Sequence, residues 1–179
     1  MTETPKPGPS KSGPLVAFYC DGARDDAGRT LEEILAWGDD RLEAVHDFIQ
    51  WLFPLPERSG ANPAAPTLDQ ATIDAFHATA EMRERLRASF ERMLRFYGLS
   101  WTGIAVERAP DFAARAQNWL RPMNHNHLRL TRILRSTLLL GLEAESKALF
   151  QALNAIYREY PDRIPARTHA FWSNAQRGT

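Results

Sequence analysis

The sequence has 179 residues, 44% hydrophobic and 25% charged, a composition that excludes collagenous, disulfide-scaffold and wholly disordered classes. Its 22 basic and 22 acidic residues balance, but residues 1–80 hold 6 Lys and Arg against 13 Asp and Glu, and residues 81–179 hold 16 against 9. The opposed halves either neutralise each other within one fold or leave a basic face for an anionic partner.

Residues 1–14 carry Pro5, Pro7, Pro9 and Pro14 among polar neighbours, and the prediction is a flexible tail ahead of one helical domain over residues 15–179. The apolar run from Leu15 to Cys20 is shorter than the roughly 7 to 15 residues of a signal-peptide core and is followed by Asp21, so export is not expected. No stretch approaches the roughly 18 to 20 apolar residues of a membrane-spanning helix, so no transmembrane segment is expected. The lone Cys20 excludes an intramolecular disulfide and leads to the expectation of a reducing, cytoplasmic setting.

Thr30 and Glu33 stand at capping-box spacing and predict a short helix to about Trp37. A second helix is expected from Asp39 and Asp40 to Phe53, where Pro54 stops it, with Leu42, Val45, His46, Ile49 and Leu52 on one face. Residues 54–66 hold four prolines and Gly60 and read as an irregular connection. Thr67 to Gln70 forms another capping-box spacing and opens a helix containing Ile73 and Phe76. From Glu81 to Tyr97 the spacing of Met82, Leu86, Phe90, Met93 and Leu94 predicts an amphipathic helix ended by Gly98.

Residues 99–108 are expected to be a loop, because a single extended piece cannot make a sheet. A short helix follows Pro110 and runs to about Trp119. Asn124 is expected to cap a central helix with Leu130, Ile133, Leu134 and Leu138 on its core face. Helices over residues 143–160 and 164–175, separated by Pro161 and Pro165, complete the chain. The fold class is therefore all-α: a compact, irregular array of about seven to nine helices.

No nucleophile elbow, Walker loop or dinucleotide-binding glycine motif is present, so no catalytic residue, cofactor or metal site is expected. Arg121, His125, Arg129 and Arg132 fall at steps of four, four and three, with Arg135 beside them. They form a cationic stripe near a helix N-terminus that either docks an anion or pairs with the acidic half. Trp51 and Phe48 widen the apolar surface of the helix before Pro54 and either fill the core or line a groove. Trp51, Gln50, His125, Arg129 and Arg132 form the candidate ligand-binding set. His46, Asn126 and His127 are expected to be structural polar residues, with His46 a neutral imidazole inside the core.

Two strings carry a resemblance: Val45-His46-Asp47-Phe48-Ile49-Gln50-Trp51-Leu52-Phe53-Pro54, and Asn124-His125-Asn126-His127-Leu128-Arg129-Leu130-Thr131-Arg132-Ile133-Leu134. Phe18-Tyr19 and the run from Met93 to Gly98 follow in the same order, so the likeness covers roughly residues 15–155. Together they resemble the conserved region of the opioid growth factor receptor family. The animal members are described as receptors for an enkephalin opioid peptide, membrane-associated at the nuclear envelope and found in the nucleus, with no catalytic activity ascribed to them. The resemblance implies binding without turnover, with a peptide, a small anionic ligand or an acidic protein as partner. Nucleic acid is the second reading, motivated by the basic half. A metal-assisted enzyme using His46, His125 or His127 with Asp47 is the third. Arginine supplies 19 of the 22 basic residues, and the sequence ends soon after the likeness does, which leads to the expectation of a bacterial homologue.

Overall fold

The computed structural model describes residues 13–177. The expected flexible tail therefore lies outside the described residues except for Gly13 and Pro14, and Pro14 is already the first residue of a helix. That helix, α1 (Pro14–Cys20), starts with proline where the missing N–H costs nothing, and it buries Leu15, Phe18 and Tyr19. The Tyr19 hydroxyl donates to the carbonyl of Leu52 at 2.6 Å, which pins the aromatic segment around Trp51 against α1.

Helix α2 (Leu31–Leu35) is opened by the Thr30 and Glu33 capping box, with both reciprocal bonds present. The single helix expected over residues 39–53 is instead two short pieces, α3 (Asp39–Ala44) and α4 (Ile49–Leu52). The break has a long-range cause. The carbonyls of Leu42 and Val45, which would accept from residues four further on in a continuous helix, accept from the Arg129 guanidinium at 2.9 and 2.8 Å. His46 lies in the break and is exposed, so the expectation of a core imidazole on a helix face is overturned.

Helix α5 (Gln70–Ala78) begins two residues later than its capping spacing implies. Asp69, not Thr67, is the cap, its carboxylate accepting from the Thr72 N–H at 2.8 Å. Helix α6 (Ala80–Tyr97) ends at Gly98 with φ 75°, a left-handed conformation that glycine adopts without penalty. The segment expected to be a loop is a hairpin. Strand β1 (Leu99–Trp101) pairs antiparallel with β2 (Val106–Arg108), Leu99 opposite Arg108 and Trp101 opposite Val106. Gly103, at φ 95°, makes the turn, so one segment supplies both strands, and its packing on neighbouring helices supplies what an isolated hairpin lacks.

Helices α7 (Phe112–Trp119), α8 (Asn126–Leu139), α9 (Glu143–Glu159) and α10 (Ala166–Arg177) follow. Among the described residues there are ten helices and one two-stranded sheet, more helices than expected because residues 39–53 divide and residues 14–20 are helical. Helix α8 packs against both α9 and α10, while α6 lies against α1, α5 and α7. The opposed charges meet inside this fold: Arg85 pairs with Glu32, Arg92 and Arg115 with Asp39, and Arg135 with Glu57. The basic half thus finds partners in the acidic half, and the nucleic-acid reading loses part of the charge that motivated it.

Candidate functional site

The break after α3, α4 and the loop over residues 55–61 face the first half of α8 across a cavity of about 410 Å³. Its wall includes Gln50, His125, Arg129 and Arg132 from the candidate set, together with His46 and Arg58, and it contains no aspartate or glutamate. Helix α8 sets this geometry. Asn124 accepts from the Asn126 N–H at 2.9 Å through its side chain, so it caps the start of α8 from one residue before the His125 cap position. From there the steps of four and three place His125, Arg129 and Arg132 on one face.

The two arginines do different work. Arg129 is buried, and besides the Leu42 and Val45 carbonyls it donates to Asn126 Oδ1 at 3.2 Å and to His46 Nδ1 at 3.2 Å. Its guanidinium is therefore a tie between α8 and the α3–α4 break, a geometry that a five-donor fork suits. Burial depresses its pKa, with Tyr97 and Glu43 acting in the opposite direction, and the group stays charged. Arg132 donates one bond, to the Phe53 carbonyl at 3.1 Å, and among the described residues has no carboxylate within ion-pair distance. Burial lowers the Arg132 pKa, and the nearby Glu57, which opposes that shift, bonds Arg135 instead. Arg58 is exposed and makes no hydrogen bond or ion pair among the described residues.

Gln50 is 4% exposed. One end of its amide meets Ser59 Oγ at 3.1 Å, and the other end is buried without a partner. The rings of His46 and His125 meet edge to face at 4.8 Å. Nε2 of His125 lies 3.5 Å from Glu43 Oε1 yet makes no hydrogen bond. Burial, Arg129 and His46 hold its pKa below the ordinary imidazole value, Glu43 opposing them, so near neutral pH the ring is uncharged.

Trp51 does not join this wall. Its indole is 5% exposed, packs against Phe18, and donates from Nε1 to Asp26 Oδ1 at 2.9 Å. Of the two alternatives Trp51 fills the core rather than lining a groove, so its place in the candidate ligand-binding set is corrected, and the physical reason is the short α4, which turns Trp51 toward α1 while Gln50 lines the cavity. Asn126 is buried and donates to Glu43 Oε2 at 3.0 Å. His127 is buried between Trp119 and Trp172 and hydrogen-bonds the Trp119 carbonyl at 3.0 Å, so it lies away from the His46–His125 pair. Asp47 is engaged by Arg29 at 2.7 Å, and among the described residues no three His, Cys, Asp or Glu side chains converge as a metal-holding group.

Arg58 escaped the sequence reading. The signal is faint, a single cation in a loop of prolines and glycine, and its position depends on long-range ties. Asn62 donates to Asp26 Oδ2 and to the Asp47 carbonyl, both at 3.0 Å, which folds residues 55–61 back over α4. A second cavity of about 550 Å³ adjoins the first, sharing His125, Leu128 and Thr131, and it is lined by Met123, Pro165 and Phe171. Met123, Leu128 and Phe171 are 94%, 65% and 38% exposed, an apolar surface unusual for its concentration in one place.

Residues 15–157 match the family described as the opioid growth factor receptor conserved region. The opioid growth factor receptor of Mus musculus is 47% identical over 123 residues, covering 65% of this chain and 19% of that protein. That of Homo sapiens is 43% identical over 138 residues, covering 73% and 20%, and the opioid growth factor receptor-like protein 1 of Xenopus tropicalis is 43% identical over 121 residues, covering 65% and 23%. The chain thus spans about a fifth of the length of these curated relatives. No solved structure matches it. The cytoplasmic expectation is overturned, because the mouse and human relatives are named as receptors. Among the described residues no helix is long and apolar enough to cross a membrane, and that fact assigns no compartment.

Proposed function

Because the chain belongs to the opioid growth factor receptor conserved-region family, named for receptors rather than for an enzyme, we propose that it is a non-enzymatic ligand-binding domain. Its recognition site is the cavity between α8 and the segment comprising α4 and residues 55–61, and its ligand is a peptide or small molecule bearing negative charge. Arg132, Arg58, Gln50 and His125 contact the ligand, and Arg129 holds the two walls together. The observation that carries this reading is the pair of guanidiniums, Arg58 and Arg132, that line a concave wall free of acidic residues and have no carboxylate within ion-pair distance among the described residues. A cation left without a partner in a concave site attracts an anion more strongly than one on open surface, because low-dielectric walls reduce screening.

A thermal-shift screen of anionic peptides and metabolites tests the proposal. Ligands that raise the melting temperature are expected to lose the shift in Arg58→Gln and Arg132→Gln. Hits that stabilise both variants as well as the parent protein reject the site.

A further inference from the structure

Oriented by its neighbour, the Gln50 amide adds a donor to the two guanidiniums, Arg58 and Arg132, that line the cavity. Ser59 Oγ already accepts from the backbone N–H groups of Ala61 and Asn62, at 3.2 and 3.4 Å. A hydroxyl oxygen has two lone pairs and one hydrogen to give. A third donation, from Gln50 Nε2 at 3.1 Å, would overfill the oxygen and leave its hydrogen idle. Exchanging the two amide atoms, which are nearly identical in shape, lets the Ser59 hydroxyl donate to Gln50 Oε1. The buried, partnerless atom of Gln50 then becomes its NH2, a donor on a side chain that lines the same cavity as Arg58 and Arg132. Glu43, the acid nearest His125, is engaged by Asn126, and Glu57 by Arg135, so neither carboxylate neutralises these two cations.

Two unpaired guanidiniums and a neutral amide donor match a dianion with three oxygens better than a carboxylate with one charge and two. The adjoining cavity adds a second requirement. It shares the ridge of His125, Leu128 and Thr131 with the first and offers exposed Met123, Leu128 and Phe171, so what lies beside the dianion is apolar. Resting on the ligand-binding reading above, we propose that the ligand is a peptide carrying a phosphorylated side chain, its phosphate held by Arg58, Arg132 and Gln50 and a neighbouring large apolar residue seated on Leu128 and Phe171. Forked guanidinium donors make paired bonds to phosphate oxygens, which gives both strength and orientation.

The test is fluorescence anisotropy with a labelled, end-blocked peptide that has one phosphoserine flanked by leucines. Its counterparts carry serine, glutamate, alanine flanks, or an unphosphorylated sequence with a free C-terminal carboxylate. The phosphopeptide is expected to bind about 10-fold tighter than the glutamate form, consistent with charge-assisted bonds to a second charge. Alanine flanks and Leu128→Ser each weaken it about 5-fold. Arg132→Gln and Arg58→Gln each weaken it about 10-fold or more, and because Arg58 is exposed and partnerless its variant retains the fold. Arg121→Gln, outside the cavity wall, leaves binding unchanged. Glutamate or carboxylate-ended peptides that bind as tightly as the phosphopeptide, and lose affinity with Arg58→Gln, overturn phosphate recognition while leaving the anion-binding site intact. Binding of no peptide in the set, or binding indifferent to both arginine variants, overturns the inference together with the reading beneath it.

Discussion

Replacing Arg129 by methionine separates a structural cation from ligand-binding ones. The guanidinium serves the carbonyls of Leu42 and Val45 and the side-chain acceptors of Asn126 and His46. Methionine fills similar volume and donates nothing, so two backbone carbonyls lose their partner, each at a cost of about 1–3 kcal/mol. Removing a buried cation with no directly paired carboxylate returns part of that cost. The net destabilisation is about 3 kcal/mol, a fall in melting temperature of about 6–12 °C for a domain of this size. Arg129→Lys retains the charge, but a single ammonium cannot span both carbonyls, and it falls between the two. Urea unfolding followed by circular dichroism reads the loss, with Arg58→Met as the comparison expected to stay within about 0.5 kcal/mol of the parent. An Arg129→Met protein with an unchanged midpoint refutes the assignment of Arg129 as the tie that breaks the helix between α3 and α4.

Gly98→Ala is expected to cost about 2–4 kcal/mol, because φ is 75° and a Cβ would stand 2.8 Å from the Phe112 Cα; a thermal melt within 2 °C of the parent contradicts it. Thr30→Ala removes the hydroxyl that accepts from the Glu33 N–H and is expected to cost about 1 kcal/mol by urea titration, a prediction that no change in midpoint would refute. His125, His127 and His169 all have pKa values pushed down, by burial first in each case. The folded state therefore resists protons that the unfolded state takes up near pH 6.5, so stability is level above that pH and declines as pH falls below it. Urea midpoints between pH 7.5 and 5 are expected to drop, less steeply in His127→Gln; an equal slope in both proteins counts against the burial argument for His127.

The elements that local chemistry dictates were legible in the sequence. Thr30 with Glu33 marks the start of α2, Gly98 the end of α6, and the apolar spacing from Met82 to Leu94 the buried face of α6. Asp69 displaced Thr67 as a cap within the same turn, because its carboxylate reaches the Thr72 N–H. What escaped is held by distant partners. The break at Val45–Phe48 requires Arg129, more than eighty residues away, and the course of residues 55–61 requires Asn62 to reach Asp26 and Asp47. The pattern that put Arg129 and Arg132 on one helix face was sound, but only packing distinguishes a guanidinium bound to carbonyls from one facing a cavity. Trp51 misled for the related reason that periodicity ranks a residue as apolar and packed without saying against what, and α1 claimed it.

NMR of the arginine Nε–H and glutamine side-chain NH2 groups, titrated with the phosphoserine peptide and with its carboxylate-ended counterpart, tests the central claim most directly. At least one of the two anions is expected to shift the Arg58, Arg132 and Gln50 signals together while leaving Arg29 and Arg108, which are held by Asp25, Asp47 and Glu159, unmoved. Spectra in which both peptides leave Arg58, Arg132 and Gln50 unperturbed would contradict the cavity as a binding site.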